Sequence, residues 1–200
     1  FEKLQAGEFD MVILLTGVGV RYLGKVLETR FPAGSLANAL KNVTVVARGP
    51  KPAAVLREWG VPIAVTAPEP NTWREVLAAT DGRPETRIAI QEYGRASVEL
   101  ANGLRARGAD VTSVPVYQWA LPENLEPLRE AIRRLAANEF DVVLLTAAIQ
   151  VQHLLQISAE MNLEAAVRDA LRRLVVASIG PTTSETLHDL GITVDFEPSH

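Results

Sequence analysis

Four short stretches of the sequence combine small residues, hydroxyl groups and cations where an apolar run gives way to a helical pattern. They are Thr16-Gly17-Val18-Gly19, Arg48-Gly49-Pro50-Lys51, Thr146-Ala147-Ala148 and Gly180-Pro181-Thr182-Thr183. Each stretch would leave unpaired backbone N–H groups at the first turn of a helix, which suits a carboxylate or a phosphate. Any one of them is also an ordinary helix cap, but four in one chain favour an anion-binding site.

Two tyrosines follow strand-like runs and could reach the same ligand. Tyr93 comes shortly after a run that ends at Gln91, and Tyr117 ends a run at an expected domain boundary. A phenol can donate a hydrogen bond to a departing oxygen while it stays uncharged at neutral pH. Tyr93 is equally well explained as a half-buried aromatic residue. Four cations lie close behind strand ends, although a solvated helix face explains any single one: Arg21, Arg48, Lys51 and Arg95.

Signatures of several other functions are missing. The stretch that begins at Thr16 lacks the spacing and the lysine of a phosphate loop, and no G-x-G-x-x-G or G-x-S-x-G motif follows a strand. There are no cysteines, and the three histidines lack metal-ligand spacing. The net charge of −4 gives no general attraction for nucleic acid. We therefore expect no metal, no cofactor and no nucleic-acid partner for this portion.

The chain also shows no membrane signature. No apolar run approaches the ~20 residues that a spanning helix needs, and no signal peptide opens the sequence. We therefore expect a cytoplasmic protein with no membrane partner.

Strand-like and helical patterns alternate along the chain and could bring these residues together. Strands are predicted near 11–15, 43–47, 62–66, 87–91, 111–117, 142–146, 173–178 and 192–196. Helices are predicted near 18–29, 50–59, 71–79, 95–107, 123–137, 149–158, 163–172 and 181–190. Such alternation is typical of a parallel sheet with helices on its faces, and ligands bind such sheets at the carboxyl ends of the strands.

The sequence repeats itself at a long, fixed offset. Glu8-Phe9-Asp10 recurs 131 positions later as Glu139-Phe140-Asp141, and the same offset relates Gly49-Pro50 to Gly180-Pro181 and Gly60 to Gly191. This period is too long for a solenoid, so it predicts two similar domains that face each other across a cleft.

The two expected domains are unequal in extent. We expect a first domain over residues 1–117, a connector over 118–124 and part of a second domain over 125–200. Beyond Gly60 the first copy continues through three more predicted strands, whereas the second has one after Gly191. Because the second copy looks incomplete, we expect an N-terminal segment outside this sequence to supply its missing βαβ unit.

Six segments, in their order along the chain, carry a family resemblance. They are Thr16-Gly-Val-Gly-Val-Arg, Ala47-Arg-Gly-Pro-Lys, Gln91-Glu-Tyr-Gly, Val114-Pro-Val-Tyr-Gln-Trp, Leu145-Thr-Ala-Ala and Ser178-Ile-Gly-Pro-Thr-Thr. Together they resemble uroporphyrinogen-III synthase over nearly the whole chain. The resemblance implies two flavodoxin-like α/β domains joined by a two-stranded connector, with one domain completed by the N-terminus.

The resemblance also implies an activity. It points to a cofactor-free lyase that converts hydroxymethylbilane, a linear tetrapyrrole with eight carboxylates, into uroporphyrinogen III with loss of water and inversion of ring D. Tyr117 matches the family tyrosine thought to assist departure of the hydroxyl, and Thr182 and Thr183 match a hydroxyl pair. Where many members have Thr-Ser, this sequence has Thr16-Gly17 and Thr146-Ala147.

The partners and one rival function complete these expectations. The resemblance implies transient contact with hydroxymethylbilane synthase, and a self-contained cleft makes a monomer the simpler state. The candidate substrate-binding residues are Thr16, Gly17, Arg48, Gly49, Lys51, Tyr93, Thr146, Ala147, Gly180, Thr182 and Thr183, with Tyr117 as the candidate catalytic residue. A hinged sensor that binds an anionic ligand without transforming it, fused to a DNA-binding regulator, stays open as the alternative.

Overall fold

The computed structural model of the chain describes residues 1–94 and 96–199. Arg95, one of the candidate cations, therefore lies outside the described residues. The chain divides into two units, Phe1–Trp119 and Ala120–His200. The boundary falls within residues 118–124, the expected connector, and residues 116–125 form neither helix nor strand.

The first unit is built on a five-stranded parallel sheet. Its strands are β1 (Met11–Leu14), β2 (Thr44–Ala47), β3 (Val65–Thr66), β4 (Arg87–Glu92) and β5 (Asp110–Pro115). They lie in the order β3-β2-β1-β4-β5, so the direction of winding reverses between β1 and β4. The predicted parallel α/β class is confirmed. Flavodoxin itself has the order 2-1-3-4-5, so the likeness extends to the layers but not to the strand order.

Helices cover both faces of this sheet. They are α1 (Glu2–Gln5), α2 (Gly17–Leu27), α3 (Ser35–Leu40), α4 (Pro50–Glu58), α5 (Trp73–Ala79) and α6 (Val98–Ala106). Because successive side chains of a strand point to opposite faces, β1 contributes Met11 and Ile13 to one apolar cluster and Val12 and Leu14 to another. The short helices α1 and α3 were not predicted, since neither has enough turns to show a hydrophobic period.

The second unit contains two paired strands and four helices. The strands are β6 (Val142–Leu145) and β7 (Val175–Ser178), and the helices are α7 (Glu126–Ala136), α8 (Ala148–Glu160), α9 (Glu164–Leu171) and α10 (Pro181–Asp189). Ile132, Val151, Ile157, Val176 and Leu187 lie in its buried apolar cluster.

The internal repeat is visible in the strand register. In the first unit, β1 pairs Met11 with Thr44 and Leu14 with Ala47. In the second, β6 pairs Val142 with Val175 and Leu145 with Ser178, so every partner is shifted by 131 positions. Because the hydrogen-bond register recurs together with the sequence, the two units share one βαβ core.

The strand predicted at 192–196 was wrong in extent. Only Phe196 makes a β-bridge there, parallel to Ala177, and this bridge repeats the pairing of Val46 with Val65. The Asp195 carboxylate accepts the Val176 N–H at 2.8 Å. A side chain thus takes up a donor of β7, and the pairing stays limited to a single bridge.

One face of the second sheet is apolar and exposed. Val142 and Leu144 are 56% and 61% exposed, whereas their repeat equivalents Met11 and Ile13 are 1% and 0% exposed. In the first unit this face packs against α5 and α6 residues such as Val76 and Leu100. Neither helix has a counterpart among the described residues of the second unit. The expectation that an N-terminal segment supplies a missing βαβ unit stays a prediction.

Candidate active site

A buried glutamine fills the point between β1 and β4 where the winding of the first sheet reverses. Gln91 is 1% exposed, and its Oε1 accepts the Thr16 N–H at 3.2 Å while its Nε2 donates to the Glu92 carbonyl at 2.7 Å. Ligands of open α/β sheets bind outside the carboxyl ends of strands at such a point. Gln91 therefore forms the floor of the candidate site.

Helix α2 begins directly above this floor. The Thr16 side chain accepts the Gly19 N–H at 3.0 Å and caps the helix. A Cβ atom at Gly19 would overlap Gln91 Nε2, and one at Gly17 would lie 2.7 Å from the Lys51 carbonyl oxygen. Both glycines are needed for close packing, so their presence alone does not indicate a ligand.

The turn after β2 carries a cation into the site. The Arg48 Nη1 donates to the Tyr93 hydroxyl at 2.5 Å, and the guanidinium carbon lies 4.8 Å from the centre of the Tyr93 ring. With its amide oriented to satisfy both groups, Asn71 donates to the carbonyls of Arg48 at 3.2 Å and Ala67 at 3.1 Å. Gly49 leaves room for this side chain, because a Cβ there would lie 2.8 Å from Asn71 Cγ. Lys51 is exposed in the first turn of α4.

The loops after β4 and β5 are joined around Tyr117. The Gly94 N–H donates to the Tyr117 carbonyl at 2.9 Å. The Tyr117 ring lies 6.4 Å from the Tyr93 ring and 5.9 Å from the Trp119 ring, between centroids. Because β5 ends at Pro115 and not at 117, Tyr117 lies in the loop beyond the strand. These contacts hold its phenol at the carboxyl edge of the first sheet.

A buried carboxylate anchors the loop that carries Tyr93. Glu92 is 4% exposed and accepts the Ser97 N–H at 3.0 Å and the Ser113 hydroxyl at 3.2 Å. A carboxylate in this setting stabilises the loop on both sides, toward α6 and toward β5.

In the second unit, a glutamine at the start of α8 takes the place that the Thr16 hydroxyl has at the start of α2. Gln150 Oε1 accepts the N–H groups of Thr146 at 2.8 Å and Ala147 at 3.2 Å. Ala147 is the N-cap of α8, as Thr16 is of α2. The strand register therefore aligns Ala147 with Thr16, in agreement with the 131-position offset of the sequence repeat.

The turn before α10 presents one of its two threonines. Thr183 is 3% exposed, whereas Thr182 is exposed in the first turn. The N–H groups of Thr183 and Ser184 donate to the Gly180 carbonyl at 3.0 and 3.1 Å. Of the two hydroxyls predicted to bind substrate, only that of Thr182 lies on a solvent-exposed side chain.

A hydroxyl pair lies beneath this turn. The Ser178 and Ser184 hydroxyls are 2.5 Å apart, and Ser184 also donates to Glu197. Their repeat equivalents are Ala47 and Ala53, so the pair is specific to the second unit.

A groove of about 690 Å³ lies away from these turns. It is lined by residues such as Asp10, Lys41 and Arg87, at the amino ends of β1, β2 and β4. Asp10 already accepts the Arg87 N–H at 3.0 Å and pairs with its guanidinium. The groove therefore lies at the opposite edge of the sheet from the candidate site.

Comparison with known proteins identifies the family. The family model described as uroporphyrinogen-III synthase HemD matches residues 1–200. The chain belongs to the uroporphyrinogen-III synthase family.

Relatives of this family member agree with that assignment. A protein of Methanothermobacter thermautotrophicus, whose name provisionally assigns it to uroporphyrinogen-III synthase, is 31% identical over 191 residues, which are 94% of this chain and 72% of that protein. The crystal structure of a mutant uroporphyrinogen III synthase from Thermus thermophilus matches with a TM-score of 0.71 and 28% identity, over 99% of this chain and 76% of that one. The uroporphyrinogen-III synthetase of Helicobacter pylori matches with a TM-score of 0.54 at 16% identity, over 94% and 76% of the two chains, and shows the fold alone.

The predicted residues of this synthase-family chain lie in two sets. Those of the first unit lie at the carboxyl ends of β1, β2, β4 and β5: Thr16, Gly17, Arg48, Gly49, Lys51, Tyr93 and Tyr117. Those of the second unit follow β6 and β7: Thr146, Ala147, Gly180, Thr182 and Thr183. Sequence reasoning missed Gln91 and Gln150 as polar groups that shape the turns. A polar residue at the end of a buried strand was the available signal for Gln91.

The described residues show two further features. Over residues 1–94 and 96–199, no three His, Cys, Asp or Glu side chains lie close enough to hold a metal ion. Within the same ranges, every helix is too short or too polar to cross a bilayer.

Proposed function

We propose that this chain is a uroporphyrinogen-III synthase that closes hydroxymethylbilane to uroporphyrinogen III with inversion of ring D and loss of water. The observation that carries the proposal is the placement of Tyr117, which its carbonyl contact with Gly94 holds at the carboxyl edge of the first sheet. The whole-chain family match supports the same activity. A lyase of this kind works without metal or organic cofactor.

The reaction depends more on how the substrate is positioned than on reactive side chains. The carbon–oxygen bond of the terminal hydroxymethyl group breaks, the oxygen leaves as water, and a conjugated cation remains that can close unaided to the wrong isomer. A phenol that donates to the departing oxygen assists this step without carrying charge itself. Fixing the reacting ends of the bilane in one arrangement then selects the product.

The carboxylates of the bilane need donors, and the helix starts supply them. The first turns of α2 and α4 in the first unit, and of α8 and α10 in the second, lie at the carboxyl ends of strands, where a helix N-terminus favours an anion. Arg48 and Lys51 add positive charge beside one of these turns, the one that begins α4. A small residue such as Ala147 lets a ligand approach the backbone.

The activity is tested with freshly generated hydroxymethylbilane. Products are oxidised, and the type I and type III uroporphyrins are separated and compared with a protein-free control. We expect an excess of type III. If protein that circular dichroism shows to be folded gives type I alone, this result would contradict the synthase activity and favour an anion-binding module.

The proposal includes a monomeric enzyme that receives its substrate through transient contact with hydroxymethylbilane synthase. Sedimentation equilibrium should give the molecular mass of a monomer. Faster type III formation with that synthase present, at equal bilane concentration, checks the contact.

A further inference from the structure

The contact between Arg48 and Tyr93 leaves the Tyr93 hydroxyl free to donate a hydrogen bond. A guanidinium has only donors, so the Tyr93 oxygen must accept the hydrogen bond from Arg48 Nη1 at 2.5 Å. The hydroxyl proton of Tyr93 is therefore available to donate elsewhere. We propose that Tyr93 is a second catalytic hydrogen-bond donor, which gives its proton to the departing oxygen of the substrate. This inference rests on the proposed synthase activity.

The contacts around Tyr93 fix the position of its side chain, as a hydrogen-bond donor to a substrate requires. Its ring packs against the apolar cluster that contains Leu100, and the preceding Glu92 is anchored to Ser97 and Ser113. The Tyr93 ring lies 6.4 Å from the ring of Tyr117, so the two phenols can serve one substrate group. Both residues follow strands of the same sheet, β4 and β5.

Arg48 places a positive charge beside the Tyr93 hydroxyl, whereas the contacts described for Tyr117 are with uncharged groups. As the phenol proton moves to the leaving oxygen, negative charge develops on the phenol oxygen, and the adjacent guanidinium stabilises it. The remaining N–H groups of Arg48 can still hold a carboxylate of the bilane.

The step balances in protons and electrons. The carbon–oxygen bond breaks with its electron pair on oxygen, and the Tyr93 proton converts this oxygen to water. Inversion breaks the bond that joins ring D to the chain and forms two new carbon–carbon bonds. The ring D carbon that carried hydrogen releases its proton in the final closure, and this proton restores the phenol. No oxidant, reductant or further reactant is needed.

A purely structural role makes a different prediction. If the contact only ties the turn after β2 to the loop after β4, then removing the hydroxyl lowers stability and weakens substrate binding but leaves the chemical step intact. If Tyr93 is instead a donor in the reaction, removing its hydroxyl lowers kcat with little change in KM. Because the bilane closes spontaneously to type I, loss of a donor also raises the share of type I product.

The experiment compares Tyr93→Phe, Tyr117→Phe and the double variant with the wild type. Tyr22→Phe is the matched control, since Tyr22 is the third tyrosine of the chain and is exposed on α2, away from the candidate site. We expect Tyr93→Phe to lower kcat about 100-fold with KM changed less than about twofold. The double variant should fall close to the protein-free rate. Tyr22→Phe should behave as the wild type.

Arg48 variants test the same idea with the phenol in place. Arg48→Gln should lower kcat as Tyr93→Phe does, and combining the two should cost little more, because they remove one coupled interaction. Arg48→Lys, which keeps a charged donor, should retain part of the rate. These variants carry the test if Tyr93→Phe does not fold.

Two outcomes overturn the proposal. One is wild-type kcat and product ratio in Tyr93→Phe; the other is a raised KM and lowered unfolding temperature with kcat unchanged. If the wild type makes type III and Tyr93→Phe equals it, only the role of Tyr93 fails. If the wild type itself makes only type I, the synthase proposal and this inference fall together.

Discussion

The backbone N–H of Gly94 donates to the carbonyl of Tyr117 at 2.9 Å, and this bond joins the loop after β4 to the loop after β5. The two residues are far apart in sequence, and each belongs to a different segment of the family resemblance. Gly94 also lies against Trp119, whose ring packs edge-on to that of Tyr117. The position of the candidate catalytic phenol is therefore set by a glycine on a neighbouring loop.

Replacing Tyr117 by phenylalanine should lower turnover severely and leave the fold intact. The substitution removes only a hydroxyl on a partly exposed ring, so packing with Tyr93 and Trp119 is kept. We expect type III formation to fall about 100-fold or more, within the range of general acid catalysis. Isomer analysis measures the loss and circular dichroism checks the fold. Near-normal turnover would contradict the assigned role.

Replacing Gly94 by alanine should displace Trp119 and disturb Tyr117. Gly94 has φ +68°, and a Cβ there would overlap two atoms of the Trp119 ring. We expect a loss of about 1–3 kcal/mol in the free energy of unfolding, a changed tryptophan emission spectrum and reduced activity. Denaturant unfolding and fluorescence measure these effects.

Gly82→Ala is the control for this variant. Gly82 has φ +67°, but a Cβ added there would meet nothing within 4 Å, so it tests backbone strain without the clash. It should lose stability without a change in activity or emission. Equal emission changes in both variants would refute the contact with Trp119.

Replacing Gly19 by alanine should push the Gln91 side chain out of its buried position. The new Cβ would overlap Gln91 Nε2, and overpacking of this kind costs about 1–3 kcal/mol of stability. In a Gln91→Ala background the same change should cost less, because only the overlap with Thr16 Oγ1 at 2.7 Å remains and alanine is otherwise favoured over glycine inside a helix. A double-mutant cycle by denaturant unfolding checks the coupling. Additive effects would rule it out.

Replacing Asp10 by asparagine should lower stability in a pH-dependent way. Hydrogen bonds from the Arg87 guanidinium and backbone hold the pKa of the Asp10 carboxyl well below its usual range. A carboxyl with a lowered pKa in the folded state stabilises above its unfolded pKa of about 3.9, and this contribution is lost as the pH falls through the folded value. The unfolding temperature of Asp10→Asn should therefore lie below that of the wild type at pH 7, and the two should converge in strong acid.

Asp141→Asn is the matched control, since Asp141 occupies the same place in the repeat. The described part of the second unit has no counterpart of β4, whose Arg87 is the partner of Asp10. Asp141→Asn should shift the unfolding temperature less at pH 7. A difference between Asp10→Asn and the wild type that is constant with pH would contradict the role of charge.

Much of the scaffold could be predicted because long apolar runs and the repeat are strong signals. The helices α2, α4, α8 and α10 lie close to their predicted ranges, and the strand register repeats with the offset read from Glu8 and Glu139. Short elements such as α3 and β3 could not be delimited, since a few residues carry too little periodicity. The reduction of the strand predicted at 192–196 to a single bridge could not be foreseen either, because it depends on Asp195 accepting an N–H from β7.

The sequence by itself determined the parallel α/β class, the duplication and the turns at which helices begin after strands, because hydrophobic period, glycine and proline act locally. Only the tertiary structure decided which of those groups are available. It buried Thr183, engaged Thr16 as a helix cap and placed Arg48 on Tyr93. These outcomes depend on contacts between segments that are distant along the chain, and such contacts are fixed only when the strands pair and the helices pack.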